Sequence, residues 1–91
     1  MKKYAWTHAA TKILRSEMAK RAMKIPDLVA ALNGIGCDES PEKVQNKLYR
    51  GTYSAIFFLQ CLKAMNVTHL ALTDEFFAPL GGINEKNIET L

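Results

Sequence analysis

The chain has 91 residues, 48% hydrophobic and 23% charged, with a formal net charge of +3. That suffices for one packed domain but not two, and it excludes a disordered chain. No apolar run approaches the ~18 residues that span a bilayer, and Met1-Lys2-Lys3 precedes no apolar segment of signal-peptide type, so a cytoplasmic protein without a membrane partner is expected.

Trp6, Ala10, Leu14 and Met18, with Ile13 beside them, form an apolar stripe at helical spacing, which predicts a first helix over residues 6–23. Trp6 reads as a core cover for the first and last elements. Lys20 and Arg21 fall in its last turn, where they either complement the helix dipole or face a polyanion. Pro26 suits a first turn, so a second helix is expected over 25–32, with Leu28, Val29, Ala31 and Leu32 inward. Asn33-Gly34 tolerates positive φ and should end it, with Ile35 dropping back toward the core.

Ser40 is a good N-cap, Pro41 fits the first helical position, and Gly51 supplies a left-handed stop. Between them, over 41–50, only Val44 and Leu48 are aliphatic, at i and i+4, so this third helix buries a thin stripe and shows hydrogen-bonding side chains outward. Tyr49 reads as half-buried packing.

A fourth helix is expected over 54–65, capped by Thr52 or Ser54. Ile56, Phe57, Phe58, Leu59, Cys61, Leu62 and Met65 make it apolar around most of its circumference, like the central post of a bundle. A short turn over 68–72 and an aromatic segment over 73–80 complete a domain spanning 1–80, and 81–91 is expected to be a flexible tail. No stretch alternates as a strand would, so the fold class is all-α, with four to five short helices.

Charge divides unevenly. Residues 1–63 carry eleven Lys/Arg against five Asp/Glu, a net +6, whereas 64–91 carry one Lys against four acids, a net −3. A basic body suits a polyanion, or is an ordinary solvated surface. Cys37 and Cys61 lack Cys-x-x-Cys spacing and read as reduced thiols, Cys61 in the core. His8 and His69 have no metal-ligand companions, so no metal or cofactor is expected. No Ser/His/Asp or Cys/His set, glycine-rich phosphate loop or pair of acids is readable, and an enzyme is not expected.

Leu14-Arg15, Leu28-Val29-Ala30, Lys47-Leu48-Tyr49-Arg50-Gly51 and Leu62-Lys63-Ala64-Met65-Asn66-Val67 follow one familiar order. Over about residues 10–72 the chain resembles the lambda-repressor-like (Cro/C1, XRE-type) helix-turn-helix domains. It is also similar to an uncharacterised family of small bacterial proteins of that shape. The resemblance implies a transcriptional regulator that lays its third helix in the major groove of double-stranded DNA. Lys43, Asn46 and Lys47 match positions that face DNA in the family, and Arg50 matches an arginine as often structural as DNA-facing. Gln45 and Ser40 complete the candidate DNA-binding set. The sequence departs from the family in the longer turn between Leu32 and Val44, and in Lys24-Ile25, where a Ser/Thr cap and a Gln are usual.

An amide such as Asn46 can pair with adenine; it can equally be an exposed helix residue. Asp38, Glu39 and Glu42 would repel phosphates unless a Glu accepts from cytosine, and otherwise complement the positive helix start. One small module grips few phosphates, so a homodimer is expected. Its surface would lie near Phe76, Phe77 and Leu80, unless these fold back over the first or fourth helix. The alternative function is a protein–protein interaction module on the same fold, without DNA binding.

Overall fold

The computed structural model describes residues 6–77, apart from the side chain of Thr7. The flexible tail expected over 81–91, and Leu80 of the expected dimer surface, lie outside the described residues. Among the described residues there are four α-helices, one 3-10 turn and no strand. The helices are α1 (Trp6–Lys20), α2 (Ile25–Gly34), α3 (Pro41–Arg50) and α4 (Ala55–Ala64), with the 3-10 turn at Asp74–Phe77. The fold is all-α. No described helix is long and apolar enough to cross a membrane.

The core draws on every helix. Leu14 from α1, Leu28 and Leu32 from α2, Val44 and Leu48 from α3 and Cys61 from α4 are fully buried. Each aliphatic side chain of this size contributes about 1.5–3 kcal/mol when withdrawn from water, which offsets the entropy that helices this short cannot recover alone.

Helix ends differ from expectation where backbone geometry intervenes. α1 stops at Lys20 rather than 23, because Ala22 turns left-handed (φ 53°) and the Met23 N–H closes on the Met18 carbonyl at 2.9 Å. α2 runs through Asn33 and Gly34. Its left-handed residue is Gly36 (φ 92°), after which the Cys37 N–H reaches the Leu32 carbonyl at 2.9 Å. Ile35 faces solvent rather than the core. Residues 68–72 form no helical turn; the 3-10 turn comes later, at Asp74–Phe77.

α4 is not buried all round. It packs on α2 and α1 through Phe57, Cys61 and Leu62, and leaves Ile56 and Leu59 in solvent. Trp6 does meet the last described element, tilting against Phe77 with ring centroids 5.8 Å apart, but at 63% exposed it lies at the rim and not over the core.

Candidate nucleic-acid interface

α3 is fixed locally at both ends. The Ser40 hydroxyl accepts from the Lys43 N–H at 3.2 Å, and Gly51 (φ 73°) returns its N–H to the Lys47 carbonyl at 2.9 Å. Val44 and Leu48 are buried, which sets the face that turns inward. At about 100° per residue, Asn46 then stands about 180° from that seam, Glu42, Tyr49 and Arg50 about 140° or less, and Lys43 about 120°. All five are exposed, as is Gln45. Tyr49 is 83% exposed, so it is no packing residue; its place on the outer ridge explains why. Ser40 is half-buried, with its oxygen already engaged as the cap.

Lys47 is placed differently from the rest of the candidate set. It lies about 80° from the seam, and its ammonium is 2.8 Å from Glu39 Oε2 and 4.5 Å from the centroid of the Phe57 ring. The Glu39 side chain is only 7% exposed and that of Lys47 31%. Glu39 Oε1 is buried without a partner among the described residues, and the Glu39 N–H donates to Asn33 Oδ1 at 3.0 Å. Glu39 is therefore an internal counter-ion and not an exposed acid at the helix start. Glu42 and Asp38 remain at the surface.

Lys20 and Arg21 are also engaged. Glu17, buried in α1, holds Lys20 Nζ at 3.0 Å on one oxygen and Arg21 Nη1 at 2.7 Å on the other. Burial pushes the Glu17 carboxyl up, but hydrogen bonds and charge from Lys20 and Arg21 outweigh it and hold it below its ordinary value. Arg21 Nε also donates to the Met65 carbonyl at 2.8 Å, tying the end of α1 to the end of α4. By contrast, Lys43 and Arg50 have no ion pair among the described residues. The cations available to a polyanion are thus fewer than the composition suggests, and two of them flank the α3 ridge.

The C-terminal end of α3 is held from α1. The Thr11 hydroxyl donates to the Leu48 carbonyl at 2.9 Å, which leaves the Tyr53 hydroxyl, 3.0 Å away, to donate to Thr11. Burial raises the Tyr53 phenol above its usual value, so it stays protonated for this role. Tyr53 meets Phe57 edge-on at 5.1 Å.

Sequence reasoning missed Glu17, Thr11 and Tyr53, and took Glu39 for an exposed acid. For Glu17 the signal was present, since Lys20 and Arg21 follow at i+3 and i+4; the other three meet their partners only through the fold. Phe76 and Phe77 are half-buried, in a 3-10 turn that packs on α1. Among the described residues no group of three or more His, Cys, Asp or Glu could hold a metal.

Fold and site together define a small all-α module that presents one capped, ridge-exposed helix. Residues 6–70 match the family described as a domain of unknown function (DUF6471), and the chain belongs to that family. No curated protein and no solved structure matches it.

Proposed function

We propose that the chain binds double-stranded DNA as a helix-turn-helix module of the transcriptional-regulator kind, with α3 in the major groove. The observation that carries this reading is the uncovered outer ridge of α3, where Glu42, Lys43, Asn46, Tyr49 and Arg50 are all exposed while Val44 and Leu48 anchor the other side. A helix of ordinary diameter fits the ~12 Å major groove. Asn46, at the crest, pairs with an adenine edge in this reading, and Glu42 accepts from a cytosine amine. Lys43 and Arg50 neutralise phosphates on one flank, and the neutral Gln45 amide donates a hydrogen bond on the other. The module acts as a pair of copies, which doubles its phosphate contacts.

Titrating a mixed-sequence duplex in rising salt tests this. Lys43→Ala and Arg50→Ala should each reduce the slope of log K against log salt by about one. Unchanged slopes in both, or no binding at low ionic strength, refute it. Sedimentation at micromolar concentration should show a dimer, and a clean monomer removes that part.

A second reading, a protein-interaction module without a DNA role, draws on Asp38 and Glu42, two exposed acids in α3 and its leading turn. Tight salt-insensitive binding to a protein partner together with a blank duplex titration would favour it.

A further inference from the structure

We infer that Glu39 and Lys47 form an internal strut that sets how α3 stands off the bundle, so that Lys47 positions the helix and does not touch DNA. The inference rests on the DNA reading for its consequence, although the strut exists without it. A helix anchored by Val44 and Leu48 alone, two side chains in one line, is free to roll about that line. Roll would swing Asn46 through the groove. What opposes it lies on the flank of the seam. The Asn33 carboxamide holds the Glu39 backbone at 3.0 Å, the Glu39 carboxylate holds Lys47 at 2.8 Å, and Lys47 sits 4.5 Å over the Phe57 ring. These contacts join the end of α2, the intervening turn, α3 and α4 in one series. The Thr11 bond to the Leu48 carbonyl pins the adjacent residue from α1. α3 is thereby tied to α1, α2 and α4.

Lys47 has no reason to leave this place for a phosphate. Glu39 is almost fully buried, and among the described residues Lys47 is its only cation and one of its oxygens lacks a partner. Stripping the cation from a buried carboxylate costs far more than a surface phosphate contact returns.

The test compares wild type, Lys47→Met, Lys47→Arg and the double variant Glu39→Leu/Lys47→Met in duplex titrations across salt, well below each melting temperature. Methionine keeps the stem over Phe57 and removes the charge. The strut predicts that Lys47→Met binds about tenfold more weakly, through lost pre-organisation, at an unchanged salt slope, and that Lys47→Arg restores affinity. A slope reduced by about one makes Lys47 a phosphate contact and overturns the proposal. Affinity and slope both unchanged reduce the pair to packing and overturn it as well.

Amide hydrogen exchange without DNA keeps the strut separate from the DNA reading. In Lys47→Met the α3 amides should exchange about tenfold faster relative to Leu14, and in Lys47→Arg they should not. If no variant binds duplex, the DNA reading fails and exchange alone decides the strut; unaltered relative exchange sinks it. Should Lys47→Met not fold, the double variant, which leaves no unpaired buried charge, carries both measurements.

Discussion

Glu17 and Glu39 are two carboxylates buried to the same extent, each with 7% of its side chain exposed, and they solve the same problem differently. Glu17 gives one oxygen to Lys20 and the other to Arg21, and its Arg21 partner goes on to close the end of α4. Glu39 gives one oxygen to Lys47 and leaves the other unpartnered. A fully paired buried network rigidifies its surroundings, whereas a half-paired one depends on its single partner. The first ties the end of α1 to the end of α4. The second sits beneath the helix that carries the proposed contacts.

The largest expected effect follows from that dependence. Lys47→Met should destabilise the protein by about 2–3 kcal/mol, short of the ~3–5 for a fully buried pair because Lys47 is itself a third exposed. Adding Glu39→Leu should recover most of the loss, since an apolar pair of similar volume replaces the stranded charge. Urea midpoints of the two variants measure both. If the double variant is as unstable as the single, Glu39 is not the source of the cost.

Glu17→Gln should cost somewhat less, about 2 kcal/mol, because an amide nitrogen then confronts one of two cationic donors. The pH dependence sharpens this. The folded Glu17 carboxyl lies below its ordinary 4.5, so its contribution is complete above that unfolded value and is lost as the pH falls through the folded one. Stability of the wild type should therefore drop on acidification below about pH 4.5, and Glu17→Gln should flatten that part of the curve. An identical acid limb in the variant would show that Glu17 is not the group responsible.

Cys61 offers a reporter beside the second carboxylate. Burial, and after it the charge of Glu39, pushes its thiol up to about 12, so little thiolate exists in the folded chain. Alkylation at neutral pH should modify Cys61 far more slowly than after unfolding, with Lys47→Met accelerating it and Arg21→Met doing so less. Equal acceleration by the two variants would erase the distinction between the two sites.

The contrast also marks where sequence stops being informative. The all-α class, the inward pair Val44 and Leu48, and the Ser40 and Gly51 caps depend on neighbours in the chain, and spacing alone reveals them. Helical rotation then put Asn46 outward with no further information. Tyr49 was misjudged because its ring suggested burial, although the same rotation places it on the ridge. Ile56 and Leu59 misled in the opposite sense: an apolar circumference implies surroundings on every side, but a bundle this small covers only one face of α4. Lys47 could not be resolved at all, because its partner lies eight residues back across a turn whose path the sequence does not specify.

The smallest effect is the most discriminating. Glu39→Gln should cost about 1 kcal/mol, clearly less than Glu17→Gln. The amide oxygen can still accept from Lys47, and Lys47, partly exposed and over the Phe57 ring, can lean into water without leaving a buried charge behind. The amide nitrogen takes the position of an oxygen that had no partner, so no existing hydrogen bond is lost there. Glu17 has no such idle oxygen, and its replacement breaks a bond whichever way the amide turns. Paired urea titrations of the two glutamine variants decide the matter: equal losses would mean that Glu39 Oε1 has a donor after all, and that the two carboxylates are equally well paired.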